Sequence, residues 1–534
     1  MTQPQTAALQ QEVMRRKQAT YALIAVFTTF FAASYFFRGS SVTLPRIAAE
    51  LNGMSLYSWA LSLPGLASAF ATLLFGKLSD MYGRRVMLLI SLALYGGGAV
   101  LAALSQDFVF FIAARVIISF GQGTVAPLCF SVIGDLYSPA ERSKWSGLLQ
   151  IPAGISAIVV PWFVGMLTDQ FSWRYFLWVA VALVIVSGVL VLTSIPSLSK
   201  RTEHKIDFSG SCALAVAISS MILGFSWAGS LYSWTSPWII GLFAASAVAW
   251  IIFVRIEGGA KEPMLDLQVL TNRTFLTAAV SALLSYFSLL GITMYFVLFL
   301  QGVQGMSATW SALFTTPFVA FMTFVGVPTG IILSRARRYK AMYIIGYGVL
   351  TAAACVMVLF TEDTPLWVEI LVIAVAGIGL GAIPTINTLV AQFALPKRLL
   401  GVAVGAMFFF VFLGNAVGPA ILGSAMNAKY EKTLGELLPP ELSTEVDQAT
   451  LESLADSRIL LSAEAMDKLR KTFEGIDGGE TLLDRTVKAI RSSLEAALRL
   501  VFLIGAVATF LSFLLIIMIP EVPIDAEVED KSRR

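Results

Sequence analysis

Gly76-Lys77-Leu78-Ser79-Asp80-Met81-Tyr82-Gly83-Arg84-Arg85 is a short charged loop set between two apolar stretches. A run of roughly 20 apolar residues is enough to cross a bilayer as a helix, and in lipid such a helix satisfies its own backbone polar groups. Two runs joined by about ten residues therefore form a transmembrane hairpin with a sharply turned, basic tip. Gly76 and Gly83 allow close helix approach and a turn, Asp80 can cap the helix that follows, and Arg84 with Arg85 hold the tip in the cytoplasm.

The rest of the 534-residue chain has the same character. Hydrophobic residues make up 57% and charged residues 13% of it, and the mean hydropathy is +0.78, which leaves too little polar surface to cover a soluble globule. An integral membrane protein follows. Cys129, Cys212 and Cys355 all fall inside apolar segments, where thiols behave as small hydrophobes, so neither a disulfide nor a metal framework is expected. The single histidine, His204, sits in a polar linker. Arg15, Arg16 and Lys17 precede a first apolar run that is too long for a signal peptide and has no small-residue cleavage site, so this run is expected to stay in the membrane. No Gly-x-x-x-x-Gly-Lys-Ser/Thr loop occurs; nucleotide, other cofactors and nucleic acid are not expected as partners, and the chain does not read as an enzyme.

Apolar windows place spans near 20–45, 56–78, 85–105, 108–134, 143–167, 174–195, 208–229, 236–255, 275–300, 307–333, 340–360, 366–391, 399–427 and 497–519, fourteen in all. With the amino terminus inside, the inner loops collect the basic residues, among them Lys77, Arg84, Arg85, Arg142, Lys144, Arg335, Arg338, Lys397 and Arg398, and the short outer loops hold almost none. The positive-inside rule then sets both termini in the cytoplasm of a cell-membrane protein. Polar linkers at 196–207 and 256–274 flank spans seven and eight. The expected organisation is an all-α membrane protein in which residues 1–195 form one six-helix bundle, 196–274 carry two additional helices, and 275–534 form a second six-helix bundle.

The halves show a faint internal repeat. Gly330-Ile-Ile-Leu-Ser334-Arg335-Ala-Arg337-Arg338 sits where the second half should echo residues 76–85, with Ser334 in place of the aspartate. The 76–85 loop resembles the signature loop of the major facilitator superfamily, Gly-x-Leu-Ala-Asp-x-x-Gly-Arg-Arg in its usual form. Phe111-Ile-Ala-Ala-Arg115, with Gly121, Gln122 and Gly123 following, is similar to that family's span-four Arg element. Trp173-Arg174 resembles its Trp-Arg lead into span six, and Gly414-Asn415-Ala-Val-Gly418-Pro419 its antiporter element. Pro263-Met-Leu-Asp-Leu and Asn272-Arg273-Thr-Phe275 look like the lead into span nine of the fourteen-span drug:proton antiporters, the second drug:proton antiporter family. The resemblance implies a major facilitator fold of fourteen transmembrane helices and two bundles rocking around a shared midplane site. It also implies proton-coupled export of amphipathic small molecules, as in multidrug efflux and antibiotic resistance, by a monomer.

One position departs from that pattern. Span one of the family carries an Asp nine residues before the Pro of an Ala-Leu-Pro; here Thr43-Leu44-Pro45 marks the frame and Phe36 stands nine residues earlier. Two residues on is Arg38, a cation at a depth where charge is costly unless it faces water or a partner. No Asp or Glu occupies the middle of any span, so a lipophilic cation would lack a deep carboxylate. Arg38 either snorkels to the headgroups or meets an anionic or polar group of the cargo. The missing acid therefore keeps open a second function, a uniporter or antiporter of organic anions or lipids without proton coupling. A receptor or scaffold that only borrows the fold is a third class. Aromatic density in spans one, nine and thirteen suits amphiphiles, and the expected substrate-binding residues are Tyr35, Phe36, Arg38, Gln122, Gln150, Tyr295, Asn387 and Asn415.

Residues 428–495 hold nine basic and fourteen acidic residues, a net charge of −5, with apolar positions at helical spacing such as Leu451 and Leu454, or Met466, Leu469 and Phe473. An extracellular helical segment between spans thirteen and fourteen is expected. Asp80, Arg84 and Asp135 are the candidates for an inner latch, with Arg84 or Arg85 to reach Asp135, and Arg85 and Arg115 complete the set expected to couple conformation to transport.

Overall fold

The computed structural model describes residues 3–53, 56–195, 208–229, 232–259, 267–336, 338–442 and 479–521, and, between the last two, residues 446, 447, 450, 451, 454, 459–461 and 463–474. His204 with its linker 196–207, and Pro263 to Asp266 of the lead into span nine, lie outside the described residues. Among the described residues fourteen helices are long and apolar enough to cross a membrane: α1 Ala19–Glu50, α2 Trp59–Tyr82, α3 Arg84–Ala103, α4 Phe108–Leu136, α5 Glu141–Gln170, α6 Trp173–Ser194, α7 Ser209–Trp227, α8 Pro237–Gly259, α9 Arg273–Val303, α10 Leu313–Ala336, α11 Lys340–Met357, α12 Leu366–Phe393, α13 Leu400–Leu437 and α14 Gly479–Ile517.

Local chemistry sets several of the boundaries. Asp107 accepts a 2.8 Å hydrogen bond from Phe110 N at the start of α4, and Asn272 does the same for Phe275 N at 2.9 Å before α9. Gly83 has φ +91°, a left-handed conformation that lets α2 stop and α3 begin with no residue between them but itself. The chain is all-α, two six-helix bundles plus two helices. In the first bundle α1 packs on α4, α5 and α6, and α3 packs on α4 and α6; in the second α9 packs on α13 and α14, and α12 on α10 and α11. Arg174 ties α6 to the ends of α1 and α3 through Glu50 at 3.1 Å and Ser105 O at 3.0 Å, its guanidinium 4.2 Å from the Trp173 ring.

The extra hairpin, α7 and α8, packs against both α2 and α13. Trp227 stacks edge-on against Trp59 of α2 at 4.5 Å, and Trp234 Nε1 donates to Ser424 Oγ of α13 at 2.7 Å. The hairpin therefore braces the seam between the bundles from outside.

The bundles meet through glycine at the end that carries the 76–85 loop, the basic end. A Cβ on Gly76 would lie 2.6 Å from Gly401 O, and one on Gly147 would lie 2.5 Å from Gly326 O, so α2 touches α13 and α5 touches α10 backbone to backbone. A Cβ on Gly405 would collide with Thr72 O, and one on Gly330 with Ser143 O.

Two spanning helices run beyond the apolar windows that the sequence marks. α13 continues to Leu437 because Tyr430 and Leu434 stay buried on one face, Tyr430 donating to Leu454 O at 2.9 Å. α14 begins at Gly479, with Leu482, Thr486 and Ile490 buried and Arg485 outside, paired to Glu441 at 3.1 Å. Helix Ala463–Glu474 adds buried Leu469 and Phe473.

Gly147→Leu is expected to destabilise the protein by about 1–3 kcal/mol, the usual cost of overpacking a close contact, whereas Gly97→Leu, whose added Cβ would meet nothing within 4 Å, should be neutral. Thermal unfolding in detergent measures both; equal melting temperatures would show that the α5–α10 contact does not hold the bundles.

Candidate functional site

At the basic end the loop residues converge on one carboxylate. α2 delivers Asp80 to the amino terminus of α13, where Oδ1 accepts from Gly401 N and Oδ2 from Val402 N, each at 3.0 Å. Unpaired N–H groups and the aligned peptide dipoles make a helix start a ready anion site. Arg84 supplies the balancing charge: it lies 2.5 Å from Asp80 Oδ1, donates from Nε to Asp135 Oδ2 at 2.8 Å, and touches Ser79 Oγ. Asp80 and Arg84 are only 10% and 11% exposed, which weakens solvent screening of the pair, while Asp135 is 33% exposed. Gly401 is required there, since a Cβ would run into Arg84 Nη1 and Gly76 O. The cluster joins α2 and α3 to α4 and, across the bundle interface, to α13.

Arg85 points elsewhere, donating to Leu192 O at the end of α6 at 2.6 Å, where a cation complements a helix carboxyl terminus. In the pseudo-repeat, Ser334 bonds to Ile331 O of its own helix at 2.7 Å. The α5–α10 contact is made by glycines, and Ser334 adds no tie across it. Beneath it, Gln392 Nε2 donates to Phe130 O at 3.1 Å and the Phe130 and Phe408 rings lie 5.9 Å apart, joining α12 and α13 to α4.

The residues expected to bind substrate fall in separate surroundings. Tyr35 and Phe36 are buried in the first bundle: Tyr35 donates to Phe176 O at 3.2 Å, and Phe36 stacks on Phe176 and meets Tyr95, each at 5.6 Å. Gln122 ties α4 to α1 through Ala33 O at 3.2 Å. Gln150 lies at the closed end, where a Cβ on Gly326 would come within 2.9 Å of its Cγ. Asn387 is buried and accepts from Tyr343 OH, its Nδ2 left without a partner. Tyr295 is buried with its hydroxyl directed toward Gly423, and Asn415 is half-buried on α13.

Arg38 belongs to a stripe of partly or fully exposed α1 residues, Phe31, Ser34, Arg38 and Ser41, and its guanidinium lies 5.7 Å from the Phe37 ring. Arg115 is almost wholly buried in α4, with Nε and Nη1 unpartnered. Two buried acids go unmarked in the sequence, Glu257 near the end of α8 and Glu369, fully buried in the first turn of α12; Glu369 meets a polar side chain at the end of α9, Gln304. Its only local signal is an acid just inside an apolar window, and the side chain that it meets, Gln304, is remote in sequence.

Asp80→Asn should loosen the basic end, because a hydrogen bond to a charged group contributes about 1.5–3 kcal/mol. A cysteine at Thr72, buried against Gly405, should then react with an impermeant maleimide about tenfold faster or more from that side. Lys77→Gln, a change in the same loop, should leave the rate alone; an Asp80→Asn rate equal to the parent's would show that the carboxylate does not hold the closure.

Residues 24–419 match the family profile described as Major Facilitator Superfamily. The chain is 30% identical over 395 residues to an uncharacterized MFS-type transporter of Mycobacterium tuberculosis, an alignment over 74% of this chain and 58% of that relative, so it spans less than two thirds of the relative's length. It is 26% identical over 475 residues to the multidrug transporter protein MdtP of Bacillus subtilis, covering 87% of this chain and 86% of that one. Among solved structures, the proton:xylose symporter XylE superposes with a TM-score of 0.60 at 14% identity, over 96% of this chain and 98% of that one. The human organic anion transporter MFSD10 does so with a TM-score of 0.57 at 14% identity, over 92% and 99%. Identities this low speak to fold alone. Taken with the fourteen helices and the Asp80–Arg84 cluster, the match shows that the chain belongs to the major facilitator superfamily of membrane transporters, which are not enzymes.

Proposed function

We propose that the protein exports amphipathic small molecules from the cell by alternating access, driven by the proton gradient, with the basic end and both termini facing the cytoplasm. The moving units in this reading are residues 1–195 and 275–534, with 196–274 as a brace and 428–495 as an extracellular cap on a monomer. Relatives named as a multidrug transporter and efflux pumps support the cargo class.

The observation that carries the mechanism is the chemistry of the closed seam. Ser143 and Ser146 on α5, and Thr385 and Gln392 on α12, each hold a buried oxygen without a hydrogen-bond partner. An unsatisfied buried polar atom costs about 1–3 kcal/mol, and opening the basic end would hydrate it. That gain offsets part of the loss when Asp80 leaves α13. Two conformations of similar free energy are what a carrier needs, so that cargo and protons can shift their populations.

Arg38 supports a second reading. It has no ion-pair partner among the described residues and sits on the partly exposed stripe of α1. A uniporter or antiporter of organic anions or lipids would use such a group. Proteoliposomes separate the two readings: an imposed pH gradient should drive uptake of cationic or neutral amphiphiles, and uptake indifferent to the gradient would remove proton drive. Arg38→Ala should weaken binding of anionic amphiphiles about tenfold or more, one charge-assisted hydrogen bond, and leave neutral ones nearly untouched. Unchanged binding of every ligand would return Arg38 to the role of a headgroup anchor.

A further inference from the structure

At the far end α9 leaves regular α-helical geometry. Phe299–Val303 is a π-turn, Gln304 N donates back to Phe299 O at 3.2 Å, and Gly305 turns the chain with φ +72°. Such single π-turns insert a residue into a helix and recur where one side chain has to be aimed. The residue aimed here is Gln304, whose Nε2 donates to Glu369 Oε1 at 2.6 Å and to Thr364 O at 3.3 Å. Glu369 has no exposed surface, and its Oε2 has no partner; nor has Gln304 Oε1. On the other side of Gln304 an open surface pocket, a cavity of about 350 Å³, is lined by Gln304, Glu362, Asp363, Thr364 and Arg491 among others, and Glu369 lies behind Gln304 and does not line it.

Charges of both signs flank this site. The α11–α12 connection brings Glu362 and Asp363, and α14 brings Arg491 and Glu495, the latter accepting from Glu362 N at 3.3 Å. α9, α10 and α11 bring no charged side chain to this end, and α13 carries none before Lys429. Among the described residues no cation pairs with Glu369. A buried carboxylate with one bare oxygen and no cation paired to it is costly when negative, and far less so when Oε2 carries a proton.

We propose that Glu369 is a proton-binding site loaded through this cavity, and that Gln304 passes its state to the end of α9. The bond from Gln304 is charge-assisted only while the carboxylate is negative, so placing a proton on Oε2 weakens the tie between α9 and α12. Any part of this in transport rests on the proton-driven reading above; proton binding itself does not.

The test uses the full chain in lipid without substrate, by infrared difference spectroscopy across a pH titration. The parent should show a protonated-carboxyl C=O band that titrates reversibly. Glu369→Gln should lose that band, and Gln304→Leu should move its midpoint to higher pH because a donor to the negative form is gone. A Glu369→Gln spectrum that superposes on the parent's would overturn the inference. Should that variant not fold, an unmoved titration in Gln304→Leu would overturn it instead. Gradient-driven transport beside such an unchanged spectrum would sink the site and spare the exporter reading. A titrating Glu369 beside gradient-indifferent transport would do the reverse.

Discussion

The Asp80 carboxylate seated on the first N–H groups of α13 is the contact on which the arrangement of the two bundles depends. It is a charged tie between them at the basic end, and it is held by a backbone start instead of a mobile side chain. Everything around it is shaped to let the carboxylate in. Gly401 leaves room for Arg84, Gly76 brings α2 onto α13, and Asp135 keeps Arg84 turned toward Asp80. Because a helix amino terminus offers its N–H groups to water as readily as to an anion, the tie can be broken without leaving a strained backbone behind.

The other half of the same closure is built differently. Between α5 and α10 the fit is glycine on glycine, a contact with a short range and little tolerance, flanked by buried hydroxyls without a hydrogen-bond partner. The charged side gives the closure strength, and the glycine side gives it a narrow geometry. The hairpin of α7 and α8 leans on α2 and α13 alike, through Trp59 and Ser424, and so follows the bundles at the charged seam.

Much of this was legible in the sequence because it is local. The number of spans followed from apolar run length, and Asp80, Arg84 and Asp135 were marked as a latch from one short loop and one helix end. What the loop could not say was which arginine reaches Asp135, since Arg84 and Arg85 differ by a helical rotation fixed by the turn at Gly83. The aromatic run of α1 shows the same limit: six aromatic residues in 27–37 point around the whole helix, and only packing against α6 tells that Tyr35 and Phe36 turn inward while Arg38 does not. The extended ends of α13 and α14 were hidden because amphipathic turns beyond the bilayer read as a separate polar segment. Glu369 was hidden because its partner, Gln304, lies 65 residues away in sequence.

The central claim is that the closure at the basic end is one of two populated states. Spin labels placed at Lys144 and Arg335, both exposed on either side of the α5–α10 contact, report it directly by pulsed dipolar spectroscopy in lipid. The account predicts a short distance matching the closed seam and a second, longer one whose share changes with pH and with added amphiphile. A single distance that stays the same under every condition would contradict it.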